Sequence, residues 1–358
     1  MTLGRRLISF GAAAGTPADV HWLVQAGGGG GGNSRDSGGS AGGLRTSYGS
    51  NSGAGSSASS ESQLTFSAGT TYTITVGAGG TAAITAYEIQ FPYNYRGTDG
   101  TASSISGPDI TDITTEPGRG GKNGGYSSAY TNVSGATIDG GAGCGEAYAR
   151  SASNGTGSFV GPYKGDGTNQ ANGDSTDQGY DGGNAHAPYY APGGAGGTGA
   201  VGGNAGSYTT FTTYRYSGSG GVGTIVSIIN DTQATANSVG EVDSGNVYFG
   251  GGGGSSNGPG NYKVSSGGGG LGGGGNAGAA VVYHPTFAEN GHANSGGGGG
   301  ASAMENNYVG TGGNGGSGCV ILRMATDVYS GTTTGSPTVI TDGSDTILIY
   351  KSSGTYTQ

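Results

Sequence analysis

Residues 193–206 read GGAGGTGAVGGNAG. Gly193, Gly196, Gly199 and Gly202 fall in one column of a three-residue period, and Gly194, Gly197, Gly203 and Gly206 in a second. Residues 310–318, GTGGNGGSG, repeat the pattern. Gly310, Gly313 and Gly316 form one column and Gly312, Gly315 and Gly318 another, which leaves Thr311, Asn314 and Ser317 in the third. A left-handed extended helix of the polyproline II type has three residues per turn, so each column becomes one face. Two faces without Cβ let neighbouring helices approach closely. Such a helix has no internal hydrogen bonds, so its N–H and C=O groups must be met by those neighbours, and Cα–H···O contacts add smaller terms. Glycine loses more chain entropy on folding than any other residue, so the array needs many runs side by side.

The chain supplies them, at 27–32, 38–43, 118–125, 193–206, 250–254, 267–278, 296–300 and 310–318. Glycine accounts for 88 of 358 residues, whereas Leu, Ile, Val and Phe together number 48. That is too little aliphatic material for a TIM barrel or a Rossmann domain. Collagen is excluded by 10 prolines and the lack of a sustained G-X-Y frame. No window approaches 18 apolar residues, so no transmembrane helix and no membrane insertion are expected. A net charge of −9 spread over 358 residues, with 22 Tyr, does not fit charge-driven disorder. The 13 Lys and Arg are scattered, so no nucleic acid partner is expected.

Conventional strands are expected at 20–26 (VHWLVQA), 70–76 (TTYTITV), 319–324 (CVILRM) and 345–351 (DTILIYK). The run 224–229, TIVSII, reads as strand or short helix, and the glycine-poor stretches 81–96 and 230–239 lack a clear apolar face. The fold class expected is irregular and mainly β: a glycine-rich domain of packed polyglycine-II-type helices, a few strands near the ends and middle, and essentially no α-helix. The divisions expected are a leader or anchor at 1–19, the glycine-rich domain at 20–326 and a C-terminal strand segment at 327–358. The opening MTLGRRLISFGAAAG mimics a signal peptide, but its apolar stretch is broken by Gly11. Cys144 and Cys319 lie far apart and read as buried free thiols, with a single bridge as the alternative.

Catalytic motifs fail on context. GSSNG at 254–258 fits G-x-S-x-G but follows polyglycine and precedes Pro259, where a nucleophile elbow needs strand before and helix after. GAGGTG at 194–199 has no βαβ setting, and GKN at 121–123 lacks the Ser or Thr of a Walker motif. His21, His186, His284 and His292 have no ligand-spaced partners. Asp166, Asp174, Asp177 and Asp181 are spaced too widely for a calcium loop. No catalytic residue, metal or cofactor is expected, and the chain does not read as an enzyme.

Four segments stand out instead: 86–97 with Tyr87, Phe91, Tyr93, Tyr95 and Arg96; 186–192 with Tyr189 and Tyr190; 208–216 with Tyr208, Phe211, Tyr214 and Tyr216; and 281–287 with Tyr283 and Phe287. Tyr among Ser, Gly, Asn and an occasional Arg is the composition of binding loops, because aromatics give contact area at low entropy cost. The same rings also suit a core that packs over the glycine array.

Four stretches, VHWLVQAGGGGGG (20–32), FSAGTTYTITVGAGG (66–80), GTIVSII with VYFGGGGG (223–229 and 247–254) and GGNGGSGCVILRM (312–324), occur in this order. Together they resemble the glycine-rich domain of tailed-phage tail-fibre and other virion proteins. In style the chain is also similar to the polyglycine-II adhesins at some fibre tips. The resemblance implies a virion protein, a tail-fibre or tail-tip adhesin for host attachment, assembled in the host cytoplasm. The partners it implies are other virion proteins and a host-surface glycan or outer-surface protein, with several copies in a homo-oligomer. A capsid decoration or baseplate part is the alternative. The segment 336–357 resembles what usually precedes the opening strand of the family. Its place at the end of this sequence predicts that the last strand pairs with the first, in the same chain or in a neighbouring protomer.

Overall fold

Gly27 to Gly32 show how the array is built. A computed structural model describes residues 16–33, 37–49, 60–83, 96–121, 147–150, 157–160, 178–184, 191–207, 214–256, 263–279, 287–305 and 308–358. In it, the N–H groups of Gly27 and Gly30 donate to the carbonyls of Thr101 and Thr98 at 3.0 and 2.9 Å. Those of Gly28 and Gly31 donate to Gly316 and Gly313, and those of Gly29 and Gly32 to Ser40 and Ser37. Every third residue addresses the same neighbour, and the neighbour's numbers fall by three, so these segments are antiparallel. The carbonyls are met in the same rhythm. Gly28 and Gly31 accept from Gly80 and Ala83, Gly27 and Gly30 from Gly118 and Gly121, Gly29 and Gly32 from Gly299 and Ser302. Here the numbers rise together, and the segments are parallel. The run is thus enclosed by segments 37–43, 77–83, 96–102, 116–121, 295–303 and 310–318. A Cβ on any of Gly27 to Gly31 would lie inside 3.0 Å of neighbouring backbone, a distance real Cβ atoms essentially never show.

Runs 250–254 and 296–300 are buried and cross-bonded in the same way. The three unbroken polyglycine runs are therefore the interior. Runs with a side-chain column line the rim. Asn314 is exposed and Thr311 and Ser317 are half-buried, while Gly312, Gly313, Gly316 and Gly318 are buried. At several rim positions where no neighbouring helix supplies a carbonyl, a side chain does. The N–H groups of Ala82, Asn314 and Gly269 donate to the amide oxygens of Asn314, Asn290 and Asn276, each at 2.8 Å. Those of Ala78 and Thr81 donate to the Thr101 and Thr98 hydroxyls at 2.7 Å.

One end of the array is capped by β-structure. In chain order the strands are β1 (Ala18–Gln25), β2 (Leu44–Thr46), β3 (Leu64–Phe66), β4 (Thr71–Thr75), β5 (Ser103–Ser106), β6 (Ile113–Thr115), β7 (Ala147–Arg150), β8 (Gly157–Val160), β9 (Gly206–Ser207), β10 (Tyr214–Tyr216) and β11 (Thr224–Ile225). Helix α1 (Asp231–Asn237) follows. Then come β12 (Glu241–Asp243), β13 (Asn246–Phe249), β14 (Lys263–Ser265), β15 (Met304–Glu305), β16 (Tyr308–Val309), β17 (Cys319–Ala325), β18 (Thr332–Thr333), β19 (Thr338–Asp342), β20 (Asp345–Tyr350) and β21 (Gly354–Thr357). One sheet has the order β19-β20-β17-β1-β2, with β3 pairing the start of β1. A second has the order β18-β21-β4-β5-β6.

The aliphatic residues scarce elsewhere gather here. Val20, Trp22, Val24, Val320, Leu322 and Leu348 of the first sheet meet Tyr72, Ile74, Ile105 and Tyr356 of the second. On the other face of the first sheet, Leu23, Ile321, Ile347 and Ile349 meet Ile228, Ile229, Ala234, Val247 and Phe249. Being covered on both faces explains why 319–322 and 347–350 read as unbroken apolar runs. The second sheet is covered on one, so β4 alternates, with Tyr72 and Ile74 buried and Thr71, Thr73 and Thr75 exposed. Cys319 is a buried free thiol whose pKa burial pushes up to about 12. Cys144 lies outside the described residues.

The mainly β class with essentially no helix holds, over a larger set of short strands than the sequence marks. Two local readings differ. The stretch 224–229 is strand only over Thr224–Ile225, and 231–237 forms a helix. Its signal is a capping box rather than a long apolar face. Asn230 accepts from the Gln233 N–H at 2.8 Å, and the Gln233 side chain accepts from the Asn230 N–H at 3.0 Å. Within one chain the C-terminal strand also does not pair with the first. β17 lies between β1 and β20, because β17 already occupies the edge of β1 from His21 to Gln25. The chain instead closes through β21 on β4 and through Gln358, whose side-chain amide donates to the Thr16 carbonyl at 2.7 Å.

Candidate functional site

The end of the array opposite the sheets, here the distal end, is where the aromatic segments attach. Chain direction settles this. Run 27–32 leaves β1 and ends at Asn33, which bridges Ser302 in parallel. Ala83 donates to the Gly31 carbonyl, and Gly278 to Ala301, whose neighbour Ser302 donates to Gly32. Gly38 donates to the Ser255 hydroxyl, which donates in turn to the Gly193 carbonyl at 2.5 Å. Gly218 donates to the Pro192 carbonyl, and Ala205 to Asn184. The residues at which the four aromatic segments leave and rejoin the array are thus 83 and 96, 184 and 191, 207 and 214, and 279 and 287, all distal.

Of the residues singled out from sequence, Tyr216 is described in full. It closes β10, which pairs β14 in parallel and β9 antiparallel. Its ring lies across Gly206, where a Cβ would overlap the phenol. It is 37% exposed. Tyr214 is placed by its backbone opposite Lys263. Phe287, on the distal rim, is 76% exposed, the most open large apolar side chain among the described residues. Tyr87, Phe91, Tyr93, Tyr95, Tyr189, Tyr190, Tyr208, Phe211 and Tyr283 lie outside the described residues.

The platform beneath these segments is fixed by groups the sequence reading missed. Ser255, Ser256 and Ser302 are fully buried. Ser256, the serine of GSSNG, donates to the Gly278 carbonyl at 2.7 Å, and Ser302 donates to the Asn33 amide oxygen at 2.6 Å. These hydroxyls satisfy neighbouring helices where a glycine would leave a gap. A serine just past the end of an all-glycine run was the available signal.

Beside the distal rim, Asp99 accepts from Arg96 at 2.5 Å, from Arg119 at 2.9 Å and from the Gly120 N–H at 2.8 Å. Burial pushes the Asp99 carboxyl up, but the Gly120 hydrogen bond and the two guanidinium groups outweigh it and hold the pKa below its ordinary value. Arg96, read from sequence as part of an aromatic loop, is thus committed at least in part to the scaffold. Among the described residues, no group of three or more His, Cys, Asp or Glu could hold a metal ion. His186, His284, Asp166, Asp174 and Asp177 lie outside the described residues. No protein-family model and no curated protein matches the chain.

Proposed function

We propose that this chain is a non-enzymatic structural protein of a tailed-phage virion, a tail-fibre or tail-tip adhesin that holds Tyr- and Asn-rich segments against a host-surface glycan or outer-surface protein. The observation that carries the reading is the polarity of the array. All four aromatic segments join it at the distal end, while the aliphatic core and both chain-closing strands cap the other. A backbone-bonded array is stiff, so segments anchored on it spend little entropy on being positioned. Aromatic side chains supply contact area at low further cost. Several copies on one particle turn weak contacts into avidity.

Gold-conjugated antibody to this chain, imaged on intact virions, tests the reading. Label at the tail or fibre tips supports it. Label over the head overturns it in favour of a shell component, and absence of label from every virion overturns both.

A further inference from the structure

The first sheet is closed at one edge and open at the other. On the closed side, Leu44 of β2 donates to the Gln178 carbonyl at 3.2 Å and Arg45 pairs with Glu61. On the other side lies β19, the longest edge strand among the described residues. Its register against β20 runs without a bulge from Thr338↔Ile349 to Asp342↔Asp345. The bonding phase follows from the next strand in. Thr326 donates to the Ser344 carbonyl at 2.8 Å, so Thr346, Leu348 and Tyr350 exchange their bonds with β17, and Asp345, Ile347 and Ile349 exchange theirs with β19. Asp342, Ile340 and Thr338 are thereby satisfied. Val339 and Thr341 point their N–H and C=O groups away from the sheet, and none of these groups meets a partner among the described residues.

Natural proteins blunt open strand edges with a charge, a bulge or a proline. β19 carries none of these between Thr338 and Thr341. Val339 is 47% exposed, Thr341 is exposed, and both are β-branched. The Asp342 carboxylate at the end of the strand is drawn onto Arg323 at 2.9 Å. The other edges of the two capping sheets are shorter or blocked. β18 is Thr332–Thr333 alone, β3 is Leu64–Phe66, and the Thr114 carbonyl of β6 accepts from Arg45 at 3.1 Å.

We infer that β19 is the seam of a two-fold dimer, in which it pairs antiparallel with β19 of a second copy. The occupant follows from the edge itself. With the axis at Ile340, Val339 of each copy lies opposite Thr341 of the other. Both residues then donate and both accept, so every open group finds its complement, and a self-complementary edge closes the assembly as a dimer. Moving the axis to Val339 would set Thr341 against Pro337, which has no N–H to give. Across the seam Asp342 faces Thr338, so no carboxylate of one acidic copy opposes a carboxylate of the other. The inference does not rest on the adhesin reading and holds equally for a shell component.

Sedimentation of the purified full-length chain over a concentration series tests it, with amide exchange read at Val339 and Thr341. Val339→Pro removes an outward N–H at an edge position, where proline is tolerated. Thr341→Lys puts a charge on the seam, and Thr73→Lys, on the exposed face of β4, is the control. Thermal melts check that each variant folds, and Thr341→Lys, at an exposed position, keeps the test open should Val339→Pro misfold. The expected result is a dimerising parent whose Val339 and Thr341 amides slow as concentration rises. Either edge variant should weaken association about tenfold or more, and Thr73→Lys should leave it unchanged. A parent that stays monomeric throughout overturns the inference and leaves the edge to a different chain. A dimer whose Val339 and Thr341 amides exchange as openly as in the monomer, or folded edge variants that associate like the parent, also overturns it.

Discussion

The array and the capped end solve the same problem with opposite materials. At the capped end, interior volume is filled by side chains such as Trp22, Tyr72, Phe249 and Tyr350, and the backbone is paired within sheets. In the array, the interior is mostly backbone with a few buried hydroxyls such as those of Ser255 and Ser302, and each glycine of 27–32 is bonded outward to other segments. The first region gains from apolar area removed from water. The second gains from satisfied amides and dense backbone contact, against the largest conformational entropy cost any residue pays. The difference teaches where each region is brittle. Side-chain cores tolerate swaps of similar volume, whereas a glycine array has no flexible group that can move aside.

The sharpest way to break the comparison is a single methyl group. Gly29→Ala places Cβ on the Arg119 carbonyl. Denaturant unfolding is expected to show a loss above about 5 kcal/mol, the exceptional end of single-site effects, or no soluble folded protein. Gly268→Ala, in open space, is expected to stay within about 0.5 kcal/mol of the parent. Equal effects at the two positions would erase the distinction between interior and outward glycine.

Trp22→Ala probes the other region. Trp22 is fully buried between the two sheets and donates from Nε1 to the Ser62 carbonyl at 3.2 Å. A loss of about 3–5 kcal/mol is expected, read as a lower denaturation midpoint. A smaller step is Asn230→Ala, which removes the side-chain acceptor for the Gln233 N–H in the α1 capping box and should cost about 1 kcal/mol in the same assay. An unchanged midpoint would mean that packing of Ala234, Val239 and Phe249 alone holds the helix.

The smallest effect is set by pH. Asp99 has a lowered folded pKa, so its contribution is complete above the unfolded carboxylate value near ~4 and is lost as pH falls through the folded one. Melts of the parent and of Asp99→Asn should differ at pH 6 and converge as the pH falls through the lowered folded value. A constant difference across that range would assign the effect to shape rather than to charge.

Much of this division was legible in the residues. Unbroken polyglycine at 27–32, 250–254 and 296–300 marks full enclosure, and a third column of Thr, Asn or Ser marks a rim. The apolar runs 319–322 and 347–350 announce strands covered on both faces. Other features were hidden for physical reasons. Helix α1 is too short to show an amphipathic period, so a two-residue capping signal, Asn230 with Gln233, was the sole local cue. The intervening place of β17 depends on pairing between distant segments, which no local pattern encodes. The distal grouping of the aromatic segments follows from the up-and-down course of the rows, and that course is set by which carbonyl meets which amide. Composition gave the aromatic candidates, not their shared end.

The central claim is that the glycine runs are held by hydrogen bonds between segments. Native-state amide hydrogen exchange, followed residue by residue, tests it most directly. The account predicts that the amides of Gly28, Gly29, Gly30 and Gly31 exchange as slowly as those of Val24 and Leu322 in the paired strands. Glycine amides exchanging at the rate of an open chain while the strands stay protected would contradict it.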